Sequence, residues 1–168
     1  MTSPAMEARR VSVGIGQIAV SKDVNEILVA YGLGSCIGVC FYDAQIRAAG
    51  LVHVLLPASM GKVPDSREPA RFADTGIDAL VKRFVELGAA PRRLTVKIAG
   101  GAAVLGAANA EKFKIGERNA EAIRERLKRH GLTPAAADIG GVRGRTLEVH
   151  VGSGKAFVRT AASPANEL

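Results

Sequence analysis

Residues 26–42 read EILVAYGLGSCIGVCFY, two apolar runs on either side of a glycine-rich turn. The runs 26–31 and 37–42 are rich in β-branched and aromatic residues, which favour strands. The glycines at positions 32 and 34 favour a turn between them. Because the runs are apolar almost without interruption, we expect these strands to be buried on both faces. Similar runs predict further strands at 11–15, 48–56, 94–99, 146–151 and 155–160.

Two helices are predicted between these strands. The first follows the apolar spacing of Ile77, Leu80, Val81, Phe84 and Val85, and it ends at Gly88. The second covers about 116–130, with Ala120, Ile123 and Leu127 on one face. Strands in both halves with two intervening helices indicate a mixed α/β (α+β) domain. With 168 residues, the chain predicts one domain over 11–160, with flexible tails at 1–10 and 161–168.

Composition excludes several classes of protein. Apolar residues make up 48% of the chain and charged residues 23%, so it is not disordered, collagen-like or a coiled coil. No apolar stretch is long enough to span a bilayer, and the first ten residues lack the apolar core of a signal peptide. Two cysteines exclude a disulfide scaffold, so we expect a cytoplasmic protein. The net charge of +7 allows an acidic partner without identifying one, while the few aromatics argue against single-stranded nucleic acid.

Cys36 is the first candidate for chemistry. It ends the turn Gly32-Leu33-Gly34-Ser35-Cys36, where glycines let backbone N–H groups converge on a thiolate or an oxyanion. We expect such a turn, with a nearby imidazolium, to lower the pKa of the thiol. The alternative is that Cys36 is a small buried apolar residue, as Cys40 between Val39 and Phe41 is predicted to be.

His53 is the predicted partner of Cys36. It interrupts the apolar run Leu51-Val52-His53-Val54-Leu55, where a strand has no structural need for an imidazole. If the two strands are neighbours, His53 returns beside Cys36. The alternative is a core histidine that hydrogen-bonds the backbone. His130, at a helix end, and His150, opposite the apolar face of its strand, are predicted to lie at the surface.

The sequence lacks a complete phosphate-binding motif, and its basic residues do not form a nucleic-acid-binding motif. The stretch 152–156 resembles the end of a P-loop, but Ala156 stands where Ser or Thr must bind magnesium. The basic residues near 92–93 and 124–130 are interleaved with Glu along a helical polar face, which favours a solvated surface. The loop 57–71, with three prolines, is long enough to be a functional flap.

The sequence resembles the CheD family of chemoreceptor glutamine deamidases over about 11–158, nearly the whole chain. The Gly-Ser-Cys block and the His-x-x-Leu-Pro block are specific as a pair. The segments that carry the resemblance, in chain order, are 32–43, 50–57, 72–75, 97–102, 115–119 and 138–145.

The resemblance implies a fold and a site. The fold is a mixed-strand β-sandwich flanked by helices, similar to the cytotoxic necrotizing factor deamidases. Cys36 is then the catalytic nucleophile and His53 its base, with Gly34 and Ser35 in the oxyanion-binding turn. Two positions depart from the family pattern: Ala30 stands where a threonine often completes the triad, and Ala103 replaces a frequent asparagine. A backbone carbonyl or another polar residue must then orient His53.

The same resemblance implies the activity and the partners. It predicts deamidation of specific glutamines to glutamate on methyl-accepting chemotaxis receptors, with hydrolysis of glutamyl methyl esters as a related activity. No metal or organic cofactor is required, and no nucleic acid or membrane insertion is expected. A CheC-type phosphatase is an expected partner in some hosts. Two alternatives stay open: a non-catalytic adaptor that binds receptor or phosphatase, and a cysteine hydrolase of another protein amide.

Overall fold

The computed structural model describes residues 7–104 and 110–168. Within these two ranges the chain forms two five-stranded sheets and two long helices. The first sheet runs in the order β1 (Arg9–Ser12), β3 (Glu26–Leu33), β8 (Arg145–His150), β9 (Ala156–Thr160) and β10 (Ser163–Glu167). The second sheet runs in the order β2 (Ile18–Ser21), β5 (Ala48–Val54), β4 (Ile37–Asp43), β6 (Thr95–Gly100) and β7 (Ala136–Ile139). The helices are α1 (Ala73–Glu86) and α2 (Ala110–Arg129), and a 3₁₀ turn covers Pro91–Arg93.

Both sheets are mixed. The pairs β1–β3 and β6–β7 are parallel, while the other ladders are antiparallel. The arrangement confirms the predicted α+β class and the two packed sheets flanked by helices. No helix within 7–104 and 110–168 is long and apolar enough to cross a bilayer.

The second sheet is the middle layer of the fold, which explains its sequence. Its inner face packs on the first sheet through residues such as Leu33, Leu51 and Leu147. Its outer face packs on α1 and α2 through residues such as Phe41, Leu80 and Ile123. Every residue of β5 is buried as a result. The uninterrupted apolar pattern that predicted burial on both faces therefore has its cause in this middle position.

The structure differs from the sequence prediction at several element boundaries. β1 lies at Arg9–Ser12 rather than 11–15, and the segment predicted as a C-terminal tail contains β10. Both are edge strands held by backbone hydrogen bonds, and four of the five β10 side chains are exposed, so neither needs an apolar pattern. Strands β2 and β7 are edge strands that the sequence prediction did not include. The N-terminal part of the predicted first tail, 1–6, lies outside the described residues.

Candidate active site

Cys36 ends the glycine-rich turn between β3 and β4. Its side chain is only 7% exposed and belongs to the apolar cluster between the two sheets. Side chains alternate along a strand, so Cys36, Gly38 and Cys40 share one face of β4. That face is turned towards the first sheet, because a Cβ on Gly38 would meet Leu147 Cδ2 at 2.9 Å.

His53 lies on the neighbouring strand and on the same face. It is paired with Gly38 in the antiparallel β4–β5 ladder, so Cys36 occupies the position diagonal to it. Diagonal cross-strand side chains are within reach of a large residue. The topology therefore brings Cys36 and His53 to one end of the inter-sheet face, as the sequence predicted for neighbouring strands.

A backbone carbonyl holds the His53 imidazole. The ring is 2% exposed, and its Nδ1 lies 3.1 Å from the carbonyl oxygen of Val13. Nδ1 must therefore carry the proton and donate it to that carbonyl, which leaves Nε2 as the basic nitrogen. Nε2 is buried and has no hydrogen-bond partner among the described residues. Ala30, where the family often has threonine, is fully buried, and the Val13 carbonyl is the group that contacts the imidazole.

The Cys36 thiol does not have the lowered pKa that the sequence predicted. Burial raises the pKa of the Cys36 thiol, and its own backbone N–H offsets this only in part. Burial lowers the pKa of His53, although the hydrogen bond to Val13 opposes the shift. The expectation of a lowered thiol pKa is therefore wrong for the free protein, because desolvation disfavours both charged forms. A neutral thiol and a neutral imidazole face the inter-sheet space at pH 7.

Three successive carbonyls of the glycine-rich turn, those of Gly34, Ser35 and Cys36, are held by one scaffold. The carbonyl oxygens of Gly34 and Cys36 accept hydrogen bonds from the backbone N–H groups of Ala102 (2.7 Å) and Gly101 (2.9 Å). The Ser35 carbonyl accepts one from Asn119 Nδ2 at 3.0 Å. The Gly-Gly turn after β6 and one side chain of α2 therefore fix the orientation of the peptide groups that precede and follow Ser35 and Cys36.

Two glycines permit this close approach. A Cβ on Gly100, whose φ is +124°, would lie 2.2 Å from the Cys36 carbonyl oxygen. A Cβ on Gly116 in α2 would lie 2.4 Å from the carbonyl oxygen of Gly101. Backbone atoms cannot move aside as a flexible side chain can, so only glycine fits at both positions.

Gly116→Ala tests this packing. The helix preferences of glycine and alanine alone predict a more stable variant, whereas the packing predicts a less stable one. In an exposed helix, alanine in place of glycine stabilises by about 1 kcal/mol. Here we expect the free energy of unfolding to fall, since the new methyl group pushes α2 away from the Gly101 turn. Urea denaturation of the wild type and the variant measures the change. A stability equal to or above that of the wild type would contradict the described contact.

The other candidate residues have ordinary structural roles. Cys40 is 3% exposed and burial raises its pKa to about 12, so the prediction of a core cysteine is confirmed. His150 is half-buried and stacks edge-to-face on Phe157 at 5.1 Å between ring centroids. His130 was predicted to lie at the surface, but it is half-buried. Its Nε2 lies 2.7 Å from Asp78 Oδ1, and this contact draws the ring against α1. Among the residues described, no three His, Cys, Asp or Glu side chains form a group that could bind a metal.

The loop 57–71 follows β5, the strand that carries His53. The C-terminal end of the loop is hydrogen-bonded back to the residues that come directly after β5. Both Leu55 and Leu56 donate backbone hydrogen bonds to the Arg71 carbonyl, and Ala70 donates one to Gly16. Its tip is a tight turn in which Lys62 N–H bonds the Ser59 carbonyl, with Met60 at φ +52°. Met60 and Val63 are 90% and 92% exposed.

Sequence reasoning missed Val13 and Asn119. Val13 contributes a carbonyl, which every residue has, so its identity carries no signal. Asn119 does carry one: it lies among Gly116, Ala120 and Ile123 at helical spacing, which places an amide on the apolar stripe of α2. A polar residue on such a stripe is the pattern that could have drawn attention to it.

Comparison with known proteins identifies the relatives of this chain. The family model described as CheD chemotactic sensory transduction matches residues 55–160. A protein named "Probable chemoreceptor glutamine deamidase CheD" from Symbiobacterium thermophilum is 42% identical, covering 97% of this chain and 100% of its own length. Proteins of the same name from Thermococcus kodakarensis (40% identical; 91% of this chain and 94% of its own) and Caldanaerobacter subterraneus (42%; 92% and 95%) are similarly close. Given a family match over most of the chain and relatives of this identity, the chain belongs to the CheD family.

Proposed function

We propose that this protein hydrolyses glutamine side chains to glutamate on chemoreceptors, with Cys36 as nucleophile and His53 as general base. The observation that carries the proposal is the arrangement of His53. Its Nδ1 is committed to the Val13 carbonyl, so Nε2 is the basic nitrogen, on the same face as Cys36 and diagonal to it. The names of the relatives, probable chemoreceptor glutamine deamidases, support the substrate.

The first step joins proton transfer to attack. Cys36 Sγ bonds to the carboxamide carbon of glutamine as the thiol proton passes to His53 Nε2. Burial supports this order, because it raises the pKa of the thiol and lowers that of the imidazole, so neither group is charged beforehand. A neutral base that accepts the proton only in the transition state is general base catalysis, worth about 100- to 10,000-fold in rate.

The turn around Cys36 binds the oxyanion that forms in this step. The N–H groups of Ser35 and Cys36 follow the carbonyls of Gly34 and Ser35, which are hydrogen-bonded to the scaffold. In a trans peptide the N–H points opposite to the carbonyl, so the Ser35 N–H points away from Ala102 and the Cys36 N–H points away from Asn119. Within the described part of the chain neither donates to a backbone carbonyl, and the Cys36 N–H also interacts with its own sulfur. Donors held in advance at the site of developing charge are among the strongest catalytic devices.

The remaining steps return the enzyme to its starting state. The His53 imidazolium gives its proton to the departing nitrogen, the C–N bond breaks, and ammonia leaves a thioester on Cys36. Water then attacks the thioester carbon while His53 takes its proton, and the C–S bond breaks. Glutamate and the Cys36 thiol result. The same acyl chemistry acts on a glutamyl methyl ester, with methanol as the leaving group.

The partner surface is expected to be acidic. The net charge of +7 attracts a Glu-rich helical substrate and raises its encounter rate. Met60 and Val63, exposed at the tip of the loop 57–71, supply apolar groups for contact with the substrate. A CheC-type phosphatase is proposed as a further partner in hosts that have one.

The test is to incubate receptor with the wild-type protein and to map its glutamines by mass spectrometry. We expect specific glutamines to become glutamate, with release of an equal amount of ammonia. Receptor incubated with Cys36→Ala supplies the blank. If every receptor glutamine stays unchanged, the proposal fails. Binding to receptor without any change would favour an adaptor, while a changed glutamine on another protein would favour a hydrolase of that amide.

A further inference from the structure

We infer that Asn119 is a positioning residue that holds the oxyanion-binding turn and the histidine strand in one geometry. The inference deepens the proposed function and rests on it. Asn119 is fully buried, and its Nδ2 donates to two carbonyl oxygens, that of Ser35 and that of Leu55, both at 3.0 Å. Ser35 precedes the nucleophile, and Leu55 lies two residues after His53.

The two contacts connect the turn before β4 to the segment after β5, in addition to the β4–β5 ladder. The last registered pair of that ladder at this end is Ile37 with Val54. Ser35 and Leu55 both lie beyond it, where the strands no longer fix the peptide groups. The Asn119 amide takes over there, one hydrogen on each carbonyl. The two halves of the active site are therefore held to one rigid group of α2.

The contact with Ser35 sets the direction of one oxyanion donor. The peptide group that joins Ser35 to Cys36 has its carbonyl on Asn119 and its N–H on the opposite side. Without the amide, the carbonyl of this peptide group loses its hydrogen bond, and only the neighbouring carbonyls of Gly34 and Cys36 stay attached to the scaffold, so the direction of the Cys36 N–H is less firmly held. A displacement of about 1 Å in a reacting geometry can cost about 100-fold in rate.

The Asn119 side chain also has an energetic cost, because its oxygen is buried. Its two donated hydrogen bonds must outweigh that cost. Oδ1 is buried with no hydrogen-bond partner among the described residues, an arrangement that destabilises a fold. An apolar residue would suit the stripe formed by Ala120 and Ile123, but it would leave two carbonyls unbound. A side chain whose one nitrogen carries two donor hydrogens is the group that this position requires.

The test compares two reactions of Cys36 in Asn119→Asp, which keeps the shape of the side chain but replaces Nδ2 by an acceptor oxygen. p-Nitrophenyl acetate acylates the thiol through an oxyanion: the S–C bond forms, p-nitrophenolate leaves, and the thiol proton goes to His53. Iodoacetamide alkylates the same sulfur by displacement of iodide, with no oxyanion. We expect acylation to fall about 100-fold, because it needs both the oxyanion donor and His53, and alkylation to fall much less, because it needs His53 but no oxyanion donor.

Two further variants make the comparison decisive. Ile123→Val, one turn along the same face of α2, loses packing but no hydrogen bond, so we expect its ratio of acylation to alkylation to match the wild type. Asn119→Ala provides the same readout if the aspartate variant does not fold. Equal losses in both reactions, or an unchanged ratio, would overturn the positioning role. Neither reaction needs a receptor, so this result stands apart from whether receptor glutamines are the substrate.

Discussion

Cys36→Ala leaves receptor glutamines unchanged under conditions in which the wild-type protein converts them completely. We expect a loss of at least about 1000-fold, since the nucleophile is the one group that bonds to the substrate and cannot be replaced by its neighbours. The alanine methyl group fits the apolar environment of Cys36, so the fold should be retained. Mass spectrometry of the receptor and circular dichroism of the variant check the two halves of this prediction.

Cys40→Ala is the matched control within the same strand. Cys40 faces the same inter-sheet cluster as Cys36, but it is 3% exposed and pairs with Leu51 rather than lying near the turn. We expect it to lose about 1 kcal/mol of stability and to keep the wild-type rate. If Cys40→Ala abolished deamidation while Cys36→Ala kept it, the assignment of the nucleophile would be wrong.

His53→Gln should reduce kcat about 100- to 10,000-fold, because an amide can occupy the site but cannot accept the thiol proton. The dependence of kcat on pH distinguishes the loss of the base from a loss of the fold. Burial lowers the pKa of His53 below its ordinary 6.5, so the wild-type imidazole is neutral at pH 7 and the rate should fall only below pH 6.5. The variant lacks this acid limb, and its residual rate should rise towards alkaline pH, where the thiolate forms. A variant with the wild-type profile would exclude His53 as the base.

The same shift makes stability depend on pH. The unfolded chain binds a proton at His53 near pH 6.5, whereas the folded chain resists it until lower pH. Stability is therefore full above pH 6.5 and is lost as the pH falls towards the lowered pKa. His53→Gln should flatten this part of the curve of unfolding free energy against pH.

The sequence predicted the central part of the fold because the middle sheet is buried on both sides. Its strands β4 and β5 show nearly continuous apolar runs and were placed almost to the residue. The edge strands β2 and β10 have only partly buried or exposed side chains, and they are held by backbone bonds that leave no mark on composition. Patterns of hydrophobicity report burial, so they detect the centre of a sheet better than its edge.

The active site divides in a similar way. That Cys36 and His53 lie on one face could be predicted, since each is a reactive side chain in a place where structure alone does not need one and their strands are neighbours. Their catalytic roles stay a prediction. The direction of the thiol pKa could not be predicted, because it depends on how deeply the second sheet is covered by the first. The glycine-rich turn suggested stabilisation of charge, yet burial outweighs it in the free protein.

The Val13 carbonyl has a consequence for how this enzyme tolerates mutation. A catalytic base is usually oriented by an acidic or hydroxyl side chain, and one substitution there removes the support. Here the acceptor is a main-chain oxygen, fixed because the Val13 N–H bonds the Val29 carbonyl beside β1. The position of the orienting oxygen thus depends on how the backbone segment around Val13 is bound to its neighbour. A change of side chain at position 13 leaves this oxygen in place, whereas a shift of the segment would move it.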